Sequence, residues 1–164
     1  MKTLIFMGVS GCGKSSVAAG VAARLGLPLI EGDDYHPAAN VQKMRSGHAL
    51  NDDDRAGWLA KLSTLLSQHP DGAVMTCSAL KRRYRDQLRQ SGTDVGFVFL
   101  ELTPEQAKQR VAGRGEAHFM PASLVDSQFA DLESPVGEDK VLCVDATAEM
   151  NDIVQTAVGW AEAQ

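Results

Sequence analysis

Short apolar runs rich in β-branched and aromatic residues alternate along the chain with longer segments whose apolar residues recur at helical spacing. Each run is four to eight residues long, a length typical of buried strands. Because strands alternate with helices, the pattern predicts parallel pairing in a sheet that helices cover on both faces. The predicted strands are 3–7, 28–31, 73–77, 95–102 and 141–145.

The segments between these runs carry clear helix signals. Trp58 begins a leucine-rich stripe that ends at Leu66, and the polar run 51–54 before it supplies a cap and first-turn carboxylates. Residues 103–106, Thr-Pro-Glu-Gln, form a capping box with proline at the first helical position. A final helix is predicted from about Glu149. The whole pattern predicts an α/β chain of three layers around a five-stranded parallel sheet.

Charge, hydropathy and cysteine content indicate which kinds of partner and which compartment to expect. The net charge of −5 argues against general nucleic-acid binding, which needs a broad basic surface. Only five apolar or neutral residues separate Lys2 from the first glycine, which is too few for a membrane span. Cys12, Cys77 and Cys143 lie far apart, and the last two fall in runs predicted to be buried strands. We therefore expect a cytoplasmic protein with reduced thiols and no nucleic-acid or membrane partner.

The segment after the first predicted strand, GVSGCGKSS at residues 8–16, meets the phosphate-binding loop pattern at every required position. Its glycines let several backbone N–H groups converge on one anion. Lys14 would place its charge on the β- and γ-phosphates of a nucleotide, and the Ser15 hydroxyl would ligate Mg²⁺. The residues predicted to bind phosphate are Gly8, Val9, Ser10, Gly11, Cys12, Gly13, Lys14, Ser15 and Ser16.

Polar residues follow the second and third strands, where ligands of such sheets bind. Asp33 comes just after the second strand and can either hold Mg²⁺ through water or accept a proton from an attacking hydroxyl. His36 is a candidate partner for substrate, with an ordinary loop histidine as the alternative. After the third strand, Lys81 and Arg85 are predicted to lie over the site, although such a charge run is usually a solvated helix face.

Two arginines four residues apart, Arg110 and Arg114, follow the fourth strand on one predicted helical face. One guanidinium can stack on adenine while the other neutralises charge on the transferring phosphate. The alternative is a basic helix end that compensates its own dipole. Residues from about 114 to 135 are predicted to close as a lid that excludes water.

Three classes of phosphate-loop protein have such a loop: small-molecule kinases, guanine-binding switches and ATPases that do mechanical work. Guanine-binding switches normally show Asn-Lys-x-Asp, and no Lys-x-Asp occurs in this chain. The one Asp-x-x-Gly, at 54–57, lies inside a predicted helix. A mechanical ATPase would usually be longer and would need a strand ending in an acidic Mg²⁺ partner, whereas the third strand ends in Cys77-Ser78. A small-molecule kinase is therefore favoured over a non-catalytic nucleotide-binding switch.

Further motifs resemble the gluconate kinases over nearly the whole chain. The blocks around residues 32–59 and 77–86 are specific, whereas the phosphate loop is shared by many families. Ala49 departs from the family, which usually carries proline there. The matching motifs are Gly8 to Ser15; Gly32-Asp33 with His36-Pro37, Asn40 and Lys43-Met44; Leu50 to Arg55 with Trp58-Leu59; Cys77 to Lys81 with Tyr84-Arg85-Asp86; and Gln128-Phe129 with Leu132-Glu133 and Pro135.

The resemblance implies ATP-dependent phosphorylation of D-gluconate at its terminal hydroxyl, with ATP and Mg²⁺ as cofactors. It also implies a fold like that of the nucleoside monophosphate kinases, and a homodimer. On this interpretation residues 1–164 form a single P-loop kinase domain, with a substrate-binding helical segment at about 36–70 and the lid at about 114–135. Lys14, Asp33 and Arg114 are the predicted catalytic residues.

Gluconate is a carboxylate that carries a polyol, so its site needs a cation at one end and hydrogen-bonding groups along the chain. Arg55, Lys81 and Arg85 are the candidate cations, and Asp33 and His36 can address hydroxyls. Kinases of other small hydroxy acids such as shikimate share the architecture, so fold alone does not separate these substrates.

Overall fold

Five parallel strands form one sheet in the order β2-β3-β1-β4-β5. The structure is a computed structural model that describes residues 2–113 and 124–164. The central strand β1 has β3 on one side and β4 on the other, so that Ile5 lies opposite Met75 and Phe97. All five predicted strands are confirmed, with bounds β1 Thr3–Met7, β2 Leu29–Glu31, β3 Ala73–Thr76, β4 Val95–Glu101 and β5 Val141–Asp145.

Helices connect the strands, and a 3₁₀ turn at Gly32–Tyr35 follows β2. Both predicted caps are present: Asn51 and Asp54 form a capping box, and so do Thr103 and Gln106. These caps satisfy N–H groups that the first helical turn leaves without partners. The helices are α1 Lys14–Leu25, α2 Ala38–Arg45, α3 Asp52–Ser67, α4 Arg82–Arg89, α5 Pro104–Gly113, α6 Val125–Asp131 and α7 Met150–Glu162.

Two apolar clusters cover the opposite faces of the sheet because side chains alternate along each strand. Ile5 and Met7 of β1 pack with residues of α3 and α4, including Trp58. Leu4 and Phe6 pack with residues of α1 and α7 on the other face. The predicted three-layer α/β fold is therefore confirmed. No helix within residues 2–113 and 124–164 has the length and apolar character needed to cross a membrane.

The cysteines differ in environment. Cys12 and Cys77 are buried, whereas Cys143 is exposed, and none of them forms a disulfide. The prediction that Cys143 lies in a buried strand is wrong because β5 is an edge strand with β4 on only one side. Burial raises the pKa of the Cys77 thiol to about 12, so this side chain stays protonated and unreactive at neutral pH.

Candidate active site

The phosphate loop joins β1 to α1 at the carboxyl edge of the sheet. The φ angles of Gly8, Gly11 and Gly13 are 142°, 88° and 90°, values that residues with a side chain rarely adopt. A Cβ on Gly8 would also lie 2.9 Å from the Leu100 carbonyl oxygen. Lys14 begins α1, and its Nζ donates to the carbonyl oxygens of Gly8 at 2.9 Å and Val9 at 3.2 Å. The ammonium group therefore lies across the loop.

Ser15 lies one residue further along α1 and faces the end of β2. Its Oγ donates to Glu31 Oε2 at 2.9 Å, and Thr76 Oγ1 donates to the same oxygen at 2.7 Å. Glu31 was not among the predicted site residues, although it is the last residue of β2 and directly precedes Gly32-Asp33. Its position at a strand end was the signal that could have identified it.

Asp33 and His36 both lie on the 3₁₀ turn after β2 or at its end, and they face each other. His36 Nε2 is 3.7 Å from Asp33 Oδ1; the His36 side chain is 4% exposed and the Asp33 side chain 52%. The imidazole stacks on Trp58 with ring centroids 4.0 Å apart. Burial lowers the pKa of His36, Asp33 opposes that shift, and Arg55 adds to it. His36 is therefore a neutral imidazole at neutral pH.

Arg55 is a buried cation of α3 at the substrate side of the site. Its Nη1 donates to Tyr84 Oη at 3.0 Å and to Asp131 Oδ2 at 3.1 Å. The guanidinium carbon lies 5.4 Å from the centre of the Tyr84 ring. These contacts hold the guanidinium in one place beside the half-buried Asp131 carboxylate.

Lys81 lies nearby but is held by a different partner. Its Nζ donates to Asp52 Oδ1 at 3.0 Å, and Tyr84 donates to the same carboxylate oxygen. The hydrogen bond with Asp52 raises the pKa of Lys81. Lys81 is not among the residues that line the cleft described below, whereas Arg55 is.

Arg85 does not lie over the site, contrary to the prediction. Its side chain is 0% exposed and forms an ion pair of 2.6 Å with Glu138 Oε2. The guanidinium also donates to the carbonyl oxygens of Ala79, Leu80 and Glu133. A strand-end position predicted a substrate contact, but Arg85 is buried among the loop after β3, which supplies the Ala79 and Leu80 carbonyls, and the segment before β5, which supplies Glu133 and Glu138.

Helix α6 closes the site from the other side. The Ser10 N–H of the phosphate loop donates to Gln128 Oε1 at 2.7 Å, a contact that the sequence did not predict. Arg110 of α5 donates to the carbonyl oxygens of Gly11 at 3.2 Å and Ala146 at 2.9 Å. Its guanidinium therefore lies beside the phosphate loop. Arg114 and the first part of the predicted lid lie outside the described residues.

One cleft brings most of these groups together. The empty space of this open cleft amounts to about 510 Å³, which includes solvent at its mouth. Lys14 and Ser10 of the phosphate loop lie at one side, and Asp33, His36 and Arg55 lie around the rest. A lysine for phosphate, a carboxylate for a hydroxyl and a buried arginine for an acidic group therefore face one small-molecule volume.

A phosphate loop beside a small-molecule cleft, on a three-layer parallel sheet, defines a P-loop kinase. A family model described as an AAA domain matches residues 4–136. The gluconokinase of Gluconobacter oxydans (strain 621H) is 43% identical over 164 residues, covering 98% of this chain and 92% of the relative. The thermosensitive gluconokinase of Escherichia coli (strain K12) is 37% identical over 159 residues, covering 94% of this chain and 84% of the relative.

A solved structure agrees with the sequence relatives. The crystal structure of a gluconokinase from Sinorhizobium meliloti 1021 matches with a TM-score of 0.89 and 41% identity, covering 99% of this chain and 92% of that one. The chain belongs to the gluconokinase family, and it also belongs to the AAA domain family whose model it matches.

Proposed function

We propose that the protein is a gluconokinase that transfers the γ-phosphoryl group of ATP to the terminal hydroxyl of D-gluconate. The observation that carries this proposal is that Lys14 of the phosphate loop and the buried Arg55 face the same cleft. The gluconokinase relatives support the choice of substrate.

The phosphate loop and Lys14 bind the nucleotide phosphates in this proposal. The backbone N–H groups of the loop and the N-terminus of α1 supply positive potential for the phosphates. Lys14 stabilises the charge that develops on the transferring group. Arg110 lies beside the same loop and is proposed to contact ATP, while the role of Arg114 stays a prediction.

Magnesium would lie near Ser15 and Glu31. The two side chains share a hydrogen bond of 2.9 Å at the phosphate loop, and a hydroxyl with a carboxylate is the oxygen donor set that Mg²⁺ prefers. A cation held by these two side chains would complete its coordination with phosphate oxygens and water. Bound there, Mg²⁺ would neutralise phosphate charge.

The acceptor lies between Asp33 and Arg55. Asp33 accepts a hydrogen bond from the attacking hydroxyl and orients it towards the γ-phosphate. Because phosphoryl transfer has a loose transition state, this positioning contributes more than removal of the proton. Arg55 binds the carboxylate at the far end of gluconate, with charge-assisted hydrogen bonds. His36 donates to a hydroxyl of the polyol.

A coupled assay of ADP formation over a panel of acceptors tests the proposal. The panel holds D-gluconate, related sugar acids, shikimate and nucleoside monophosphates, each with ATP and with or without Mg²⁺. We expect the highest kcat/KM for D-gluconate and no turnover without Mg²⁺. A higher kcat/KM for shikimate or for a nucleoside monophosphate would reject the assignment, and turnover with no acceptor dependence would favour an ATPase.

We also propose that the protein is a cytoplasmic homodimer with only small-molecule substrates. The family resemblance supports the dimer, and the absence of disulfides among its three cysteines agrees with a reducing compartment. Light scattering of the purified protein, which gives its mass in solution, tests the dimer against the chain mass of 17.6 kDa.

A further inference from the structure

Asn40 lies behind His36 and has no role in the function proposed above. It belongs to α2 and is 5% exposed. Its Nδ2 atom donates to the Asp54 backbone carbonyl oxygen at 2.8 Å and lies 3.3 Å from His36 Nδ1. One amide nitrogen therefore contacts a backbone carbonyl of α3 and a ring nitrogen at the cleft.

The Asp54 carbonyl fixes the orientation of the Asn40 amide. A backbone carbonyl oxygen only accepts hydrogen bonds, so the atom facing it must be the NH₂ group and not the amide oxygen. The NH₂ group has two hydrogens and no lone pair to offer. His36 Nδ1, which faces the same NH₂ group, must therefore accept from it.

A ring nitrogen that accepts carries no proton in a neutral imidazole, so the proton of His36 resides on Nε2. That nitrogen faces Asp33 Oδ1 at 3.7 Å, which is too long for a direct hydrogen bond. Stacking on Trp58 holds the plane of the ring, and the hydrogen bond from Asn40 fixes which edge faces the cleft. A donor and an acceptor therefore stand side by side at the cleft, spaced to share one hydroxyl of a ligand.

We propose that Asn40 is a positioning residue that holds His36 as the Nε2–H tautomer, so that His36 donates to the same gluconate hydroxyl that donates to Asp33. This inference rests on the proposed function for the identity of the hydroxyl, but the tautomer is a property of the free protein. Without the Asn40 donor, Nδ1 would compete for the proton and Nε2 would become a second acceptor facing the Asp33 carboxylate.

A purely structural role for Asn40 would be to tie α2 to the start of α3. Lys43 does this too, because its Nζ forms an ion pair of 2.6 Å with Asp54 Oδ2. Both side chains extend from α2 to Asp54, but only Asn40 has a hydrogen bond with His36. Lys43→Met is therefore a matched control for loss of the α2–α3 connection.

The tautomer is measured by long-range ¹H–¹⁵N NMR of histidine-labelled protein at about pH 8.5, where imidazoles are largely neutral. In the wild type and in Lys43→Met we expect His36 to show a protonated Nε2 and an unprotonated Nδ1. In Asn40→Asp the carboxylate accepts from Nδ1, so we expect the protonated nitrogen to change. A wild-type spectrum with Nδ1 protonated, or an Asn40→Asp spectrum identical to the wild type, would overturn the inference.

Kinetics at the same pH test its consequence. We expect Asn40→Asp and Asn40→Ala to lower kcat/KM for gluconate by about tenfold, as for the loss of a buried hydrogen bond, through kcat as well as KM because Asp33 orients the same hydroxyl, while the KM for ATP changes by about twofold or less. Lys43→Met should leave all three constants close to wild type. Equal losses in Lys43→Met, or equal effects on ATP and gluconate, would show a structural role only.

The two proposals fail in different ways. If the wild type does not phosphorylate gluconate, the proposed function is rejected, while the NMR result still decides the tautomer. If gluconate is the substrate and the tautomer does not depend on Asn40, only this inference fails. Should Asn40→Asp not fold, the wild-type spectrum and Asn40→Ala still decide the outcome.

Discussion

Arg55 and Lys81 carry the same charge but lie in different environments at the substrate side of the cleft. Arg55 is buried, lines the cleft and has a half-buried carboxylate as its ion-pair partner. Lys81 is bound to Asp52, which also accepts from Arg83 and Tyr84, and it does not line the cleft. The sequence alone made the two residues equal candidates for the substrate carboxylate, whereas the structure favours Arg55.

Replacing each cation separates their roles. Arg55→Lys keeps the charge but loses the planar fork that binds a carboxylate through two bonds, so we expect the KM for gluconate to rise roughly tenfold to a hundredfold. Lys81→Met should raise it by about twofold or less, since Lys81 lies outside the cleft lining, where it forms an ion pair with Asp52. Steady-state kinetics with gluconate and ATP varied separately measure both. A larger effect of Lys81→Met would reverse the assignment.

Asp33 is proposed to orient the attacking hydroxyl, so its replacement should change kcat. Asp33→Asn keeps the shape and one acceptor oxygen but removes the charge, so we expect kcat to fall on the order of a hundredfold with little change in MgATP affinity. Calorimetry of MgATP binding is the control measurement. If MgATP affinity falls in parallel with kcat, Asp33 supports the metal instead of the acceptor hydroxyl.

At the scale of the elements, the backbone at the end of β2 lies very close to the backbone of β3. A Cβ on Gly32 would lie 2.1 Å from the Thr76 carbonyl oxygen of β3, so only glycine permits this approach. Gly57 is different, because it lies exposed in α3 and a Cβ there would meet no packed neighbour within 4 Å. The two glycines therefore have opposite tolerance for a methyl group.

The same substitution at these positions should have opposite effects on stability. Gly57→Ala should raise the free energy of unfolding by about 0.5–1 kcal/mol, because alanine loses less conformational entropy in a helix. Gly32→Ala should lower it by about 1–3 kcal/mol or more, since β2 must shift away from β3. Urea unfolding of both variants provides the comparison. Equal and small effects would mean that β2 has room to move.

At the scale of the whole molecule, Glu138 connects segments that are distant in the chain. It forms ion pairs of 2.6 Å with Arg85 and 2.7 Å with Arg89 of α4, and Arg89 also lies 4.8 Å from the centre of the Phe97 ring of β4. Burial alone would raise the pKa of Glu138, but the hydrogen bonds and charges of the two arginines outweigh it and lower the pKa to about 2.

This lowered pKa predicts a pH dependence of stability. Since the folded protein holds Glu138 ionised more strongly than the unfolded chain does, its contribution is complete above a pH of about 4.5 and is lost as the pH falls towards about 2. At neutral pH, Glu138→Gln should cost about 3–5 kcal/mol because Arg85 remains buried without its carboxylate.

Thermal unfolding of wild type and Glu138→Gln across this pH range measures the effect. The difference in Tm should narrow as the pH falls from about 4.5 towards about 2, as the linkage requires. Asp94→Asn, which removes the partner of the exposed Lys140, is the matched control and should change Tm little at any pH. A constant difference in Tm for Glu138→Gln would show that ionisation of Glu138 does not stabilise the fold.

Local signals were enough to predict much of the fold and part of the site. The strands follow from apolar runs, the capping box at Thr103 follows from residues three positions apart, and the cap of α3 follows from the polar run 51–54. The phosphate loop requires only the glycines, lysine and serine of one short segment, which a strand and a helix place at the edge of the sheet. Asp33 was a site candidate because it comes just after a strand.

Tertiary structure decided every feature whose partner lies far along the chain. Arg85 is buried because Glu138, 53 residues away, reaches it, and Gln128 contacts the phosphate loop across 118 residues. Cys143 is exposed because the strand order leaves β5 at the edge. By itself the sequence determined what depends on neighbours along the chain, namely the elements and the phosphate loop. Packing between elements decides which cation faces the cleft and which ring nitrogen of His36 carries the proton. No local sequence pattern predicts either feature.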